Sequence, residues 1–180
     1  MPSSLAPSSL AVSKAASRDA SLLASFAATA FRDTYRELDD AEEIEAYVRE
    51  HFTPDLVRSQ IDDPRSVVLL AHLNQELVGY AHVKQSAAPP CVSGPDPVEL
   101  VRLYLSQGMA GKGHGAQLML TVHAHARELK CRTIWLGVYD RNVRAVAFYE
   151  KFGFVRVGGK EFLFGGRVYI DPIMAAPVPV

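Results

Sequence analysis

A glycine-rich turn between an apolar strand run and a helical run limits the fold of this chain more than any other feature. The strand run covers Val98 to Leu105, and the turn reads Ala110-Gly111-Lys112-Gly113-His114-Gly115-Ala116. Three glycines within five residues let the backbone approach a ligand closely and leave N–H groups free where the next helix starts. No acidic residue occurs from Val101 until Glu128, so the positive end of the helix dipole is open to an external anion. We therefore expect a phosphate group to bind at this turn.

Two other nucleotide-binding motifs and one purely structural role compete with this interpretation. A Walker loop requires four residues between its first glycine and a Gly-Lys-Ser/Thr triplet, and that spacing does not occur here. Gly111-x-Gly113-x-x-Ala116 fits the degenerate dinucleotide fingerprint, but five residues separate it from the strand and no acid follows at the required distance. A tight turn in which glycine serves packing alone stays open as an alternative.

Hydrophobic periodicity and turn residues predict further helices and strands on both sides of this unit. Helix starts are indicated at Ser17, at Asp40 with Glu43, at Thr53-Pro54 and at Asn142. The predicted strands cover Leu10 to Lys14, Ser66 to Leu73, Leu77 to Val83, Val98 to Leu105, Thr133 to Val138, and two runs within Phe154 to Ile170 that meet at Gly165-Gly166.

This order of elements predicts an α/β fold with one mixed β-sheet and helices on both faces. The central β-helix-β unit should be parallel and right-handed, and the hairpins on either side should be antiparallel. No internal repeat or linker divides the chain. We expect a flexible tail over residues 1–9, one domain over residues 10–175, and a short tail over residues 176–180.

The composition excludes several classes of protein. Hydrophobic residues make up 48% and charged residues 22%, which is typical of a globular domain, and a net charge of -1 is unlike that of a general nucleic-acid or anionic-membrane binder. No apolar run is long enough to span a membrane. Two cysteines, Cys91 and Cys131, form no disulfide framework, so we expect a cytoplasmic location. We expect no metal site, because His123 and His125 face different ways on one helix.

Two motifs resemble those of the GCN5-related N-acetyltransferase (GNAT) superfamily. Leu103 to Gly115 resembles the family's motif A, Gln/Arg-x-x-Gly-x-Gly/Ala, with Ala110 in place of the usual Gln or Arg. Asn142-x-x-Ala145-x-x-Phe148-Tyr149-x-Lys151-x-Gly153-Phe154 resembles motif B closely. The resemblance implies the acyl-CoA N-acyltransferase fold and acetyl-CoA as co-substrate. It places the pyrophosphate on Ala110 to Ala116, and the pantetheine arm between Leu103 to Leu105 and Trp135 to Val138.

A narrower set of residues is similar to bacterial polyamine (spermidine/spermine) N-acetyltransferases. These residues are Phe31 to Tyr35, Tyr47, Phe52, Trp135 to Val138, Asn142 to Phe154, and Asp171-x-Ile173-Met174. The last hairpin departs from that subgroup, because it reads Gly166-Arg167-Val168 where an acidic segment is usual, and we expect Pro172 to break the last strand.

The resemblance also suggests catalytic roles. Glu99 lies eleven residues before Ala110, at the spacing of the general base in the histone-acetylating branch of the family. An ion pair with Arg102 or Arg58 is the structural alternative. Tyr80 and His82 are other possible proton acceptors, and Cys91 is a conceivable acyl carrier.

Tyr149 matches the tyrosine that protonates the departing sulfur in the family, with packing beside Phe148 and Phe152 as the alternative. Asn142 should cap its helix, and a contact with pantetheine is a second expected role. A backbone N–H near Leu105 should face the thioester oxygen.

The sequence therefore predicts an acetyl-CoA-dependent N-acetyltransferase that acts on a primary amine. A polyamine is one candidate acceptor, and the acidic run Asp39 to Glu45 would attract it if that run lines the acceptor cleft. A protein N-terminus or lysine is another acceptor, and a CoA-binding regulatory module without turnover is the rival from another class. The expected partners are acetyl-CoA and a small amine, with a homodimer as a candidate assembly and with neither nucleic acid nor membrane.

Overall fold

The fold is built on a seven-stranded mixed sheet in the order β1-β2-β3-β4-β5-β7-β6. The computed structural model describes residues 10–164 and 166–179, so the predicted tail over residues 1–9 lies outside the described residues, as does Gly165 of the predicted turn. The strands are β1 (Ala11–Lys14), β2 (Ser66–Leu73), β3 (Glu76–Lys84), β4 (Pro97–Leu105), β5 (Thr133–Gly137), β6 (Val155–Phe164) and β7 (Arg167–Pro177). The helices are α1 (Ala20–Tyr35), α2 (Ala41–His51), α3 (Pro54–Asp62), α4 (His114–Glu128) and α5 (Val143–Lys151). The predicted mixed sheet is confirmed.

Side-chain alternation along the strands buries a large hydrophobic core on each face of the sheet. One face packs against α4 and α5 through residues such as Val98, Leu118 and Phe154. The other face packs against α1, α2 and α3 through residues such as Leu70 and Phe31. Each face buries apolar side chains under its own helices, which is the arrangement expected when a sheet is covered on both sides.

The central strands β4 and β5 are parallel and pair along only part of their length. Pro97 to Glu99 lie beside Thr133 to Trp135. Beyond Glu99, β4 pairs with β3 alone, whereas the end of β5 pairs with β7 alone. A wedge-shaped gap therefore opens between β4 and β5 towards their carboxyl ends, and the glycine turn follows β4 at that same edge of the sheet.

Three of the four predicted helix starts, at Asp40, Thr53 and Asn142, are observed, and the one at Ser17 differs. The Asp40 side chain accepts a hydrogen bond from Glu42 N at 2.8 Å, and Thr53 Oγ1 accepts one from Leu56 N at 3.3 Å. Ser17, in contrast, begins a single 3-10 turn, and its hydroxyl donates to Asp62 Oδ1 at 2.6 Å, which ties this turn to α3. The prediction that Ser17 caps α1 was wrong.

Strand β7 continues past Pro172, where we expected it to break. Pro172 lies within β7 without breaking it, because β5 has already ended and the Pro172 carbonyl accepts from Val138 N at 3.1 Å. The strand then continues through Ala176, which pairs with Ile134, to Pro177. Regular structure thus extends to Pro177. Among the described residues, none of the helices is long and apolar enough to cross a membrane.

Candidate functional site

Two glycines of the turn before α4 have left-handed backbone conformations. Gly111 has φ of 77° and Gly113 has φ of 84°, and Gly113 is the residue that precedes the first turn of α4. A Cβ atom added at either position would meet nothing within 4 Å, so packing does not explain these two glycines. Backbone conformation does, because non-glycine residues adopt positive φ only at a cost in free energy.

Gly115 has a different role, which is the packing role considered above for the whole turn. A Cβ there would lie 3.3 Å from Phe148 of α5 and 3.4 Å from Leu105 of β4. The missing side chain lets the start of α4 sit close to both elements. Packing therefore accounts for one of the three glycines, and the conformation of the open turn accounts for the other two.

The first turn of α4 presents unpaired backbone donors to solvent. Gln117 N donates to Gly113 O at 3.0 Å, so the N–H groups of residues 114–116 come before the first helical hydrogen bond. The first turn carries no acidic side chain, and Lys112 beside it is exposed. His114 Nδ1 is buried and has no hydrogen-bond partner among the described residues. This helix start has the donors and the charge that an anion requires.

Glu99 lies where β4 and β5 part. Its neighbours across the sheet are Lys84 on β3 and Trp135 on β5, and its side chain is half-buried. The Ser86 hydroxyl donates to Glu99 Oε2 at 2.6 Å. Neither Arg102 nor Arg58 is among the ion pairs of the described residues, so the predicted structural alternative is not observed. The other carboxylate oxygen of Glu99 has no hydrogen-bond partner among the described residues, and Glu99 lies where the gap between β4 and β5 begins.

Tyr149 is nearly buried in the helix-α5 core, at 9% exposure. Its ring packs edge-on against Phe148 and Phe154, with centroid distances of 5.5 and 5.6 Å. Burial raises the pKa of its phenol, and the neighbouring Tyr104 of β4 raises it further. The phenol therefore stays protonated at any physiological pH, as an acid requires.

Asn142 caps α5 as predicted. Its side-chain oxygen accepts a hydrogen bond from Ala145 N at 3.1 Å. The residues just before it form contacts that the sequence did not indicate. Tyr139 donates its hydroxyl to Asp39 Oδ1 at 2.8 Å, and Arg141 lies 3.6 Å from the same oxygen. This contact joins the loop before α2 to the loop that positions Asn142.

The other candidate catalytic residues, Tyr80, His82 and Cys91, have surroundings that favour a structural role. His82 is 3% exposed and Ser66 Oγ lies 3.1 Å from its Nε2, and burial together with the nearby Arg102 and Lys84 charges lowers its pKa to about 4. Burial raises the pKa of Tyr80, so its phenolate is scarce. Cys91 packs so closely on β6 that a Cβ at Gly158 would meet its sulfur at 2.7 Å.

A cleft of about 690 Å³ opens between α2 and the β6–β7 hairpin on the α1–α3 face. Four carboxylates line it, and its other wall is aromatic; the lining includes Asp40, Glu42, Glu43, Glu50, Tyr47, His51, Phe162 and Phe164. The Tyr47 ring stacks on Phe31 at 4.6 Å and holds this wall in place. Such a surface attracts cations through both charge and aromatic faces.

Arg102 lies behind this cleft, and the sequence indicated it only as a possible ion-pair partner of Glu99. Its guanidinium sits over the Phe52 ring at 4.9 Å from the centroid. Burial lowers its pKa, but the phenols of Tyr80 and Tyr47 outweigh that effect and raise it. The alternation of β4 alone would have placed this side chain on the opposite face, so pattern reasoning had no signal for it.

Comparison with known proteins identifies the family. Residues 29–154 match the family model described as the acetyltransferase (GNAT) family. The chain belongs to the GNAT acetyltransferase family. An uncharacterized N-acetyltransferase of Mycobacterium tuberculosis is 34% identical over 157 residues, which span 87% of this chain and 96% of that protein. The predicted enzyme class, an N-acetyltransferase that acts with coenzyme A, is confirmed.

A solved GNAT structure and a more distant relative complete the comparison. The PaiA N-acetyltransferase of Thermoplasma acidophilum, in complex with coenzyme A, superimposes with a TM-score of 0.77 at 24% identity, over 94% of this chain and 99% of that chain. This likeness confirms the fold. The spermine/spermidine N(1)-acetyltransferase of Bacillus subtilis is 33% identical over 66 residues, which span 36% of this chain and 43% of that protein. Within the described residues, no group of three or more histidines, cysteines and acids is arranged to hold a metal ion.

Proposed function

We propose that this GNAT enzyme transfers the acetyl group of acetyl-CoA to a primary amine by direct attack of the amine on the thioester. The observation that carries the proposal is the gap between β4 and β5, which opens beside the unpaired N–H groups at the start of α4. An extended arm with a phosphate group at one end fits these two features together. The complex of the Thermoplasma PaiA protein with coenzyme A supports the same choice of co-substrate.

In this proposal the pyrophosphate binds the turn from Ala110 to Ala116. The N–H groups of residues 114–116 donate to it, and Lys112 adds a positive charge. The amide-bearing pantetheine arm adds to the free edge of β4 along Leu103 to Leu105, as a peptide strand adds to a sheet. Asn142 at the start of α5 contacts the arm from the other side of the gap.

The chemistry divides among three groups. Glu99 removes a proton from the ammonium form of the acceptor, directly or through water, so that the neutral amine attacks the carbonyl carbon. The backbone N–H near Leu105 donates to the carbonyl oxygen as negative charge develops there. The carbon–sulfur bond then breaks as Tyr149 donates its proton to the departing sulfur, and the proton that the attacking nitrogen loses restores the Tyr149 phenol, directly or through water. The products are the acetylated amine and the free thiol of coenzyme A.

Asn142 offers a test that separates helix capping from cofactor contact. Asn142→Ala should lower the free energy of unfolding by about 1 kcal/mol, because the bond to Ala145 N is lost. Asn142→Asp keeps an oxygen cap and should recover that stability, yet it should bind acetyl-CoA more weakly because it lacks the amide donor. Chemical denaturation and titration calorimetry measure the two quantities. If Asn142→Asp binds acetyl-CoA with full affinity, Asn142 serves only as a helix cap.

For the identity of the acceptor amine, we propose a polyamine as one candidate. The partial likeness to the Bacillus subtilis spermine/spermidine enzyme favours it, as do the four carboxylates of the cleft beside α2. Asp39 contributes little to the attraction of a polyamine, because its carboxylate already contacts Tyr139 and Arg141. A neighbouring pocket of about 380 Å³ is lined by both signs of charge, since three arginines, Arg167 among them, face four carboxylates there, so it adds no strong attraction for a polycation.

We therefore expect activity on spermidine without strong selectivity for it. At low salt, spermidine should exceed a monoamine of similar length by less than about tenfold in kcat/KM, because exposed charge pairs each contribute at most about 1 kcal/mol. The advantage should shrink as salt rises. Steady-state kinetics at two ionic strengths measure it. If spermidine is no better than the monoamine at low salt, polyamine recognition is wrong and general amine acetylation remains.

A thiol-release screen tests the proposed function against its rivals. The panel contains polyamines, amino acids, aminoglycosides and peptides with free N-termini or lysines. Release with peptides alone would assign a protein acceptor, whereas acetyl-CoA binding without release from any amine would favour a regulatory module. We further propose a cytoplasmic location, since Cys91 and Cys131 are both free thiols and fit a reducing compartment.

A further inference from the structure

Four polar side chains from β3 and β4 meet on the α1–α3 face of the sheet. Tyr80 lies directly across from Tyr104, and His82 lies directly across from Arg102. The Tyr80 and Tyr104 rings stack with centroids 5.9 Å apart and an interplanar angle of 26°. This group, the β3–β4 polar cluster, lies on the same side of the sheet as the acidic cleft.

A β-bulge in β4 places Arg102 in this cluster. The register between β3 and β4 shifts so that Val83 pairs with Leu100 and His82 pairs with Arg102, which leaves Val101 as the extra residue. One extra residue reverses the alternation of the strand. Without the bulge, Arg102 would share the apolar α4 face with Leu100. The bulge instead turns this charged side chain towards the acceptor side, close to the residue proposed as the base.

Two buried polar atoms of the cluster are not satisfied within the described protein. The Tyr80 hydroxyl and His82 Nδ1 have no hydrogen-bond partner there, although both side chains are only 3% exposed. Arg102 is half-buried, and no described carboxylate forms an ion pair with it. A half-buried cation without a counter-ion and a buried hydroxyl without a partner both cost free energy. A ligand that accepts hydrogen bonds and carries a negative charge would remove both costs.

The cluster lies next to the cleft and close to the reacting centre. Tyr47 lines the cleft, and its phenol is near enough to Arg102 to raise the pKa of the guanidinium, so Arg102 lies behind the Tyr47 wall of that opening. Arg102 is three positions from Glu99 on the same strand. At a rise of about 3.3 Å per residue this separation is at most about 10 Å, which a small amino acid can bridge.

We propose that the acceptor is an amine that also carries a carboxylate, and that Arg102 binds this carboxylate with help from the Tyr80 hydroxyl. The planar guanidinium matches the two oxygens of a carboxylate, which the compact ammonium of a lysine does not. The inference rests on the proposed acetyl transfer and narrows its acceptor. The ammonium group of the same molecule then lies towards Glu99, which removes its proton before the attack. A polyamine has no carboxylate, so the positive charge of Arg102 repels it.

The test compares L-amino acids with the amines that remain when their carboxylates are removed, such as phenylalanine with phenethylamine and lysine with cadaverine. Amino-acid amides serve as neutral analogues of the same shape. The proteins are the unchanged enzyme, Arg102→Gln, Arg102→Lys and Tyr80→Phe, with Arg49→Gln as the matched control. Arg49 is an exposed arginine of α2 outside the cluster. Each is assayed for thiol release and for acetyl-CoA affinity.

The unchanged enzyme should prefer an amino acid to its decarboxylated amine at least tenfold in kcat/KM. Arg102→Gln should lose that preference by raising KM for the amino acid alone, and Arg102→Lys should recover only part of it. Tyr80→Phe should weaken the preference severalfold, and Arg49→Gln should leave it intact. A preference for the amines in the unchanged enzyme, or an equal loss on acids and amines in the folded Arg102 variants, overturns the inference.

Failure of the underlying acetyl transfer would give a different result. In that case the unchanged enzyme would release no thiol with any amine, although acetyl-CoA still binds. If Arg102→Gln does not fold, Arg102→Lys and Tyr80→Phe decide the question, because both keep the bulk of the original side chain. An unchanged preference in both of these variants contradicts carboxylate binding at the cluster.

Discussion

Tyr149→Phe should lower turnover about a hundredfold while acetyl-CoA binds with similar affinity. The phenylalanine ring keeps the packing against Phe148 and Phe154, so only the hydroxyl is lost. General acid catalysis typically contributes 10²–10⁴-fold, and a group that acts only in the transition state lowers kcat without weakening ground-state binding. Steady-state kinetics and titration calorimetry separate these two quantities.

The pH dependence gives a second measure of the same role. Because burial raises the pKa of Tyr149, its proton-donating form persists into the alkaline range, and its ionisation should not limit the rate between about pH 7 and 9. Phe152→Leu is a control, since it alters an aromatic neighbour of Phe148 and leaves the phenol in place. Equal turnover in Tyr149→Phe and the unchanged enzyme would return Tyr149 to a packing role.

Gly113→Asp should weaken acetyl-CoA binding at least tenfold, or about 1.4 kcal/mol. The substitution puts a carboxylate at the start of α4, where the pyrophosphate should accept hydrogen bonds. It also places a side chain in a left-handed conformation, with φ of 84°. Both effects act at the binding site, and the space around Gly113 is open, so a steric clash within the protein adds nothing.

Gly113→Asn separates charge from backbone conformation. Asparagine has nearly the same shape as aspartate, tolerates the left-handed region well, and carries no charge. We expect Gly113→Asn to retain most of the affinity that Gly113→Asp loses, with the difference decreasing at high salt. Titration calorimetry on the folded variants measures this. Unchanged affinity in Gly113→Asp, or equal losses in both variants, would remove the proposed phosphate site.

Local patterns explain why most of the fold could be predicted. Helix caps such as Asp40, Thr53 and Asn142 act within three residues of the helix that they start, so the sequence shows them directly. Strand alternation and short turns are equally local. Ser17 was misjudged because its hydroxyl bonds to Asp62, which is 45 residues away. Pro172 was misjudged because its tolerance depends on where another strand ends.

The residues of the candidate site also differ in whether local sequence patterns predict them. The glycines at 111 and 113 could be predicted from the turn itself, since a positive φ is a property of the local chain. The Asp39–Tyr139 bond joins residues 100 positions apart, and no local pattern indicates it. The place of Arg102 behind the cleft was missed because one bulged residue, Val101, changes the face on which it lies. Bulges arise from the pairing of two strands, and alternation within one strand does not reveal them.

Acetyl-CoA labelled in its acetyl group, mixed with the amine panel, tests the central claim most directly. The measurement follows the label by mass spectrometry in the amine and in the protein while free thiol is recorded. We predict one labelled acetylamine for each thiol released, with no label on Cys91 at any time during turnover. Acetyl-CoA that binds without releasing thiol, or label that appears on Cys91 before it reaches the amine, would contradict direct transfer.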